Sequence, residues 1–283
     1  MTKQDLITAA QNTWCPGCGN FTIQFALRNA IRDLVADGVP LENIVLVSGI
    51  GCHAKMADYL AVNSFYSIHG RTIPVATGIK LANPDLSVIC CAGDGDAYAE
   101  GLDHLIFAAK RNSDITVIIH NNRVYGLTTG QYTPTSPLGY KGRSTPEGTP
   151  EEPFNPLSLM LASGAGFVAR STTRKMPHLA GTIARALRHK GFAFIDVLQI
   201  CATYFNMSEL YDRQGYELSG HDPADFIAAC RKVGEWDYNN DGPIAFGVFY
   251  QKERATFEER FRKIPAPAGD RTGQIRALLD QKR

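Results

Sequence analysis

The sequence has almost no excess of charge of either sign: 29 Lys and Arg stand against 28 Asp and Glu in 283 residues, a formal net charge of +1. A nucleic-acid or anionic-membrane binder needs clustered charge of one sign, so neither partner is expected. No apolar run approaches the ~18 residues that span a bilayer. The start, Met1-Thr-Lys-Gln-Asp, has no charged region leading into an apolar stretch. A soluble, cytoplasmic protein without an export signal is expected. Cysteine is too sparse for a disulfide-stapled scaffold, with seven residues at irregular spacings in a chain of this length. Those cysteines therefore point to metal ligation or catalysis. Intrinsic disorder is excluded as well, because 44% hydrophobic against 20% charged residues is enough to bury a core.

What the chain does contain is an alternation of two patterns. Short β-branched runs read as buried strands: 43–47 (NIVLV), 86–91 (LSVICC), 115–120 (ITVIIH), 192–200 (FAFIDVLQI) and 244–250 (IAFGVFY). Between them apolar residues recur at helical spacing, over 21–35, 102–109 and 179–187. Near-continuous apolar strands separated by amphipathic helices predict an α/β fold, a mostly parallel sheet sandwiched by helices. No internal repeat or domain boundary is visible, so residues 1–283 are expected to form a single domain. Residues 122–156, rich in Gly, Pro, Thr and Ser, read as a long loop, a lid or partner-binding arm. Residues 202–283 read as a C-terminal extension with helices near 223–233 and 254–261.

The chemistry is concentrated at strand ends. Gly93-Asp94-Gly95-Asp96 closes the LSVICCA run, and Asn121-Asn122 closes the next strand. A Gly-Asp-Gly turn lets backbone amides approach a phosphate, while an Asp carboxylate and an Asn carbonyl are hard oxygen ligands for a divalent cation. A helix beginning near Tyr98 would point its positive end at the same phosphates. Neighbouring parallel strands would bring Asp94 and Asn122 together at the crevice where such sheets bind ligands. A bare Gly-Asp-Gly is also compatible with a tight turn; the Asn pair, also at a strand end, makes the pattern specific.

The order Trp14-Cys15-Pro16-Gly17-Cys18-Gly19, Gly49-Ile50-Gly51-Cys52, His69-Gly70-Arg71, Gly93-Asp94-Gly95-Asp96, residues 121–128 (NNRVYGLT) and Cys201 resembles the β subunit of 2-oxoacid:ferredoxin oxidoreductases over nearly the whole chain. The resemblance implies a thiamine diphosphate-binding fold. It implies that Asp94, Asn122 and the backbone carbonyl of Val124 hold Mg²⁺ against the diphosphate. Ile50, Gly51, Cys52, His69, Gly70, Gly93, Gly95, Asp96, Tyr125, Gly126, Leu127 and Thr128 would complete the cofactor site. It further implies that Cys15, Cys18, Cys52 and Cys201 ligate one [4Fe-4S] cluster. Residue chemistry alone leaves zinc and iron–sulfur both open for four thiolates; the resemblance decides for the cluster. Cys90 and Cys91, on alternating faces of a strand, and Cys230, in an apolar helical run, read as core.

His53, Lys55, His69 and Arg71 sit on turns at the same predicted edge, where an anionic 2-oxoacid and coenzyme A need cations. For any one of them a structural role is the commoner outcome. The resemblance places 52–55 near the substrate and makes His53, Lys55 and Thr129 the substrate-handling candidates; Thr129 departs from the Lys or Gly often found there. Other motifs are weaker. Residues 49–54 (GIGCHA) match a dinucleotide fingerprint, but no acidic residue follows at the required distance. Residues 237–242 (DYNNDG) start like a calcium loop but lack its final Glu and read as a polar turn. Arg185, Arg188, His189 and Lys190 read as a solvated helix end, and Trp14 as packing beside the CxxC.

The activity implied is CoA-dependent oxidative decarboxylation of a 2-oxoacid with electrons passed to ferredoxin, or its CO₂-fixing reverse. The 122–136 stretch leans towards 2-oxoglutarate over pyruvate. The resemblance also implies an α, or fused α/γ, subunit that supplies the thiamine-activating Glu, in a dimer of heterodimers. Two rivals stand beside it: a non-oxidative thiamine enzyme with structural zinc, and a non-catalytic electron-relay subunit.

Overall fold

The computed structural model describes residues 6–262 and 271–281. In chain order the strands are β1 (Ile44–Ser48), β2 (Asn63–Tyr66), β3 (Ser87–Gly93), β4 (Thr116–Asn121), β5 (Phe167–Thr172), β6 (Ala193–Leu198), β7 (Gly215–Glu217) and β8 (Ile244–Gln251). The helices are α1 (Asn20–Ala36), α2 (Met56–Tyr59), α3 (Thr72–Ala82), α4 (Leu102–Arg111), α5 (Pro156–Ala162), α6 (Met176–Leu187), α7 (Ser208–Gln214), α8 (Phe226–Val233), α9 (Phe257–Arg262) and α10 (Arg271–Asp280). One sheet runs β2-β1-β3-β4-β6-β5-β8-β7, parallel at every pairing except β5 with β8. The fold is the α/β sandwich that the apolar runs predict.

The period-two geometry of the strands sorts their side chains into two layers. Val88, Cys90, Ala92, Val117 and Ile119 face one layer with α4, α5 and α8, while Ile89, Cys91 and Ile118 face the other with α1 and α6. Each fully buried Val, Leu or Ile contributes about 1.5–3 kcal/mol relative to exposure. Cys90 and Cys91 are therefore both ordinary core. Cys230 is not: it is exposed on α8, whose buried face is carried by Ala229 and Val233. The apolar run 226–230 does not separate the two faces of so short a helix.

The elements without a clear signature in the sequence are instructive. Strand β2 is exposed along its whole length at the sheet edge, so it shows no apolar pattern. Arg170 interrupts the apolar run of β5, yet it is fully buried beneath the rings of Trp236, Tyr238 and Phe249. Residues 202–262 are more than an appended tail, because β8 completes the sheet against β5. The 122–155 connection is folded down on the body rather than extended. Arg123 is buried, its Nε donates to the Thr135 carbonyl at 2.6 Å, and Thr133, Thr135 and Ser136 are buried beside it. The connection ends at Asn155, whose side chain caps α5 and donates 2.8 Å to the Val233 carbonyl of α8. Among the described residues no helix is long and apolar enough to cross a membrane.

Candidate active site

Strands β1, β3, β4 and β6 are consecutive neighbours in one parallel array, so their carboxyl ends open on the same edge. The turns that follow them converge on a cavity lined by residues 50–53, 93–96 and 124–128, with His69, His120, Asn122 and Gln199. Strand polarity thus brings together residues more than a hundred positions apart in the chain.

Asp94 is 2% exposed, and burial pushes its carboxyl up to about 7. The hydroxyls of Thr133 and Thr135 offset part of that, and the charge of Asp196 adds to it. Thr135 Oγ1 donates to Asp94 at 3.1 Å. A buried carboxylate facing neutral donors and no cationic side chain is poised for a cation, which would supply the charge that burial penalises. The two asparagines divide their work as strand alternation requires. Asn121 turns inward and donates to Asp196 at 3.0 Å, while Asn122 lines the cavity. The Asn122 side-chain oxygen accepts from Val124 N at 3.1 Å, an Asx turn bridging Arg123, which has φ 60°. Asp94, Asn122 and Val124 all reach the same cavity. This donor set, one carboxylate with neutral oxygens, fits a magnesium ion bridging a diphosphate.

Gly95 lies where a Cβ would stand 2.2 Å from the Tyr125 ring, so only glycine lets the turn and the 124–128 segment close together. Tyr125 in turn donates 3.0 Å to Glu100. The chain leaves this turn through a π-helical segment, Asp96–Glu100, before α4 begins at Leu102. Such π turns recur at functional sites. Helical backbone therefore begins at Asp94, a turn before the Tyr98 start that the sequence indicates.

Asp96 lines the cavity and also ties its walls together. Its carboxylate accepts from Gly70 N at 2.6 Å and lies 3.1 Å from His53 Nε2, joining the turns after β1, β2 and β3. Gly70 itself does not line the cavity; with φ 67°, a Cβ there would strike the Glu100 carbonyl at 2.4 Å. Its role is to seat that turn. Thr129 lies outside the cavity walls, at φ 77°, and accepts 3.0 Å from Arg143 Nη1. Adjacency in sequence to the 124–128 segment does not carry Thr129 into the site, because the chain turns away through Gly130, also at positive φ. Lys55 faces a second cavity, with Nζ donating 2.8 Å to Thr13 Oγ1.

That second cavity, of about 250 Å³, is walled by Cys15, Cys18, Cys52 and Cys201. The N-terminal CxxC is brought there by α1, since Gly19 N donates 3.0 Å to the Ile200 carbonyl beyond β6. Trp14 does more than pack: its indole N–H donates 2.7 Å to the Cys52 carbonyl. Burial pushes Cys18 up to about 11 and raises Cys52, with Lys55 opposing the latter. The four thiols share one hollow, in which burial and the neighbouring sulfurs disfavour the thiolates of Cys18 and Cys52 unless a metal binds. Among the described residues no three His, Cys, Asp or Glu side chains approach closely enough to hold one metal ion. A zinc ion requires sulfurs ~4 Å apart around Zn–S bonds of ~2.3 Å. A four-iron cluster holds its cysteines farther apart and fits this hollow better. Gly126 separates the two cavities: a Cβ there would lie 3.6 Å from Cys52 Sγ, 3.7 Å from Cys201 Sγ and 3.6 Å from Asn122 Nδ2. Cys52, Asn122, Gly126, Leu127 and Gln199 line both.

Residues 49–197 match the C-terminal TPP binding domain of thiamine pyrophosphate enzymes, and 201–266 match the C-terminal part of the pyruvate ferredoxin oxidoreductase beta chain. A 2-oxoacid:ferredoxin oxidoreductase subunit beta from Saccharolobus solfataricus is 43% identical over 88% of this chain and 85% of its own length. The chain belongs to the 2-oxoacid:ferredoxin oxidoreductase beta subunits. It is thus a subunit of an oxidoreductase, with a thiamine diphosphate-binding domain. A 2-oxoglutarate oxidoreductase subunit KorB from Mycobacterium tuberculosis is 44% identical over 71% of this chain and 53% of its own. A solved 2-oxoglutarate:ferredoxin oxidoreductase from Magnetococcus marinus, with 2-oxoglutarate, coenzyme A and succinyl-CoA bound, superposes with a TM-score of 0.89 at 33% identity. The match covers 98% of this chain and 96% of that one.

Sequence reasoning missed His120 and Gln199 as cavity residues. It also missed the buried network in which Tyr98 and Tyr238 donate to Asp196 at 2.7 and 2.5 Å. A polar residue ending an otherwise apolar strand, as in ITVIIH, was the available signal for His120.

Proposed function

We propose that this chain binds thiamine diphosphate through Mg²⁺ held by Asp94, Asn122 and the Val124 carbonyl, and carries one [4Fe-4S] cluster on Cys15, Cys18, Cys52 and Cys201. Its net reaction would convert 2-oxoglutarate and coenzyme A to succinyl-CoA and CO₂ while reducing ferredoxin, with the CO₂-fixing reverse open to the same site. The observation that carries this reading is the pair of adjoining cavities: one ends in a buried carboxylate, the other in four thiols, with Gly126 between them.

Bound thiamine diphosphate supplies a nucleophilic carbon and the electron sink for loss of CO₂. This chain's residues do the rest of the local work. The Gly93 and Gly95 turn admits a diphosphate at backbone distance, and Asp94 balances its metal ion. His53, pinned by Asp96, and the exposed His69 put polar hydrogens near an anionic substrate. Lys55 and the Trp14 indole hold the Cys52 turn against the sulfur cavity.

An α subunit would close the open side and bring the activating Glu, giving a dimer of heterodimers. The β2 edge supports this, with Phe65, Tyr66 and the 68% exposed Ile68 next to His69. Such an apolar rim marks a protein contact. The preference for 2-oxoglutarate is supported by relatives that carry that acid in their names. The match of 201–266 to a pyruvate enzyme favours pyruvate as the second reading. An anaerobic panel of 2-oxoacids with the purified complex tests it. Turnover is expected to be highest with 2-oxoglutarate; faster turnover with pyruvate reverses the assignment, and no cofactor-dependent turnover with any 2-oxoacid overturns it.

A further inference from the structure

His120, the penultimate residue of β4, lies on the wall of the cofactor cavity, 2% exposed. Its Nδ1 lies 2.8 Å from Asn20 Oδ1, the first residue of α1. With the Asn20 amide oxygen facing the ring, Nδ1 carries the proton and Nε2 keeps a free lone pair. The His53 imidazole lies 5.9 Å away between ring centres. The His120 Nε2 is buried and has no hydrogen-bond partner in the protein. A buried acceptor without a donor is destabilising, and its position on a ligand cavity gives that cost an outlet.

We infer that His120 is a ligand-binding residue of this cavity, whose Nε2 accepts a hydrogen bond from an N–H of the bound cofactor. This rests on the thiamine diphosphate reading above. The donor class follows from chemistry. A diphosphate bound to magnesium and a 2-oxoacid carboxylate offer only acceptors, which a bare imidazole nitrogen repels. The exocyclic amine of the cofactor's aminopyrimidine ring offers N–H donors. His120 thus reads the base end of the cofactor, leaving the phosphate end to Asp94 and the glycine turn. The same choice would reject a cofactor analogue that carries a carbonyl in place of that amine.

The test is calorimetric titration of the assembled, cofactor-free complex with thiamine diphosphate and Mg²⁺, for the parent, His120→Phe and His120→Gln. Phe keeps the ring volume but removes the acceptor; the Gln side-chain oxygen restores one near the Nε2 position. Thiamine diphosphate is expected to bind about tenfold more weakly to His120→Phe, from one lost hydrogen bond, and to recover most of that in His120→Gln. Inorganic pyrophosphate with Mg²⁺ should bind all three alike. Equal weakening of pyrophosphate shows a collapsed diphosphate site and overturns the inference, as does unchanged thiamine diphosphate affinity in His120→Phe. Failure of the parent itself to bind thiamine diphosphate would instead remove the reading on which the inference stands, and the inference with it.

Discussion

Replacing Asp94 by Asn separates the two costs that this carboxylate carries. In the cofactor-free protein burial raises its carboxyl to about 7, against roughly 3.9 in the unfolded chain. The folded state therefore holds a proton that the unfolded chain has already lost between about pH 4 and 7, and stability falls as pH rises through that window. Below pH 4 both states are protonated and the folded protein suffers no loss; above 7 the loss is complete. A difference of about three pH units at about 1.4 kcal/mol each gives about 4 kcal/mol. Asn keeps an acceptor for Thr135 Oγ1 but has no charge to bury. The cofactor-free Asp94→Asn complex is thus expected to match the parent near pH 4 and to exceed it by up to about 4 kcal/mol at pH 8, about 8 °C in melting temperature. Thermal unfolding of both proteins across that range, in chelator, gives the comparison; groups common to both cancel in the difference. Adding Mg²⁺ and thiamine diphosphate should stabilise the parent alone. Parallel pH profiles for the two proteins, or cofactor stabilisation of the variant, would refute the reasoning.

Other outcomes follow from the same geometry. Gly95→Ala pushes a methyl into the Tyr125 ring and should cost about 1–3 kcal/mol of stability; cofactor titration should show weaker binding, and unchanged affinity would contradict the close approach. Tyr98→Phe removes a donor from buried Asp196 and should destabilise by about 1–3 kcal/mol in a denaturant titration, without altering bound iron. Cys52→Ser should lose iron and visible colour, whereas Cys90→Ser, in the sheet interior, should keep both. Trp14→Phe leaves the Cys52 carbonyl without its donor and should hasten loss of colour in air at little cost in cofactor affinity.

Much of this site was legible in the sequence because its parts are strand ends. Apolar runs located β1, β3, β4 and β6, and parallel pairing then obliges Cys52, Asp94, Asn122 and Cys201 to share one edge. What sequence could not resolve depends on side-chain direction. Asp96 resembles Asp94 in the motif but points to Gly70 and His53; Lys55 follows His53 by two residues yet serves the other cavity. Thr129 is lost from the site through a backbone reversal that composition does not announce. Strands β2 and β5 were invisible for opposite reasons: one is exposed throughout, the other buries an arginine under aromatic rings.

The central claim, that a cofactor cavity and a sulfur cavity abut across Gly126, is tested most directly by a single spectrum. The anaerobic complex, loaded with thiamine diphosphate and Mg²⁺, should be brown and should bleach when 2-oxoglutarate and coenzyme A are added. The Asp94→Asn complex should keep the colour and fail to bleach. A colourless parent complex, or a coloured one that bleaches equally without an intact Asp94, contradicts the account.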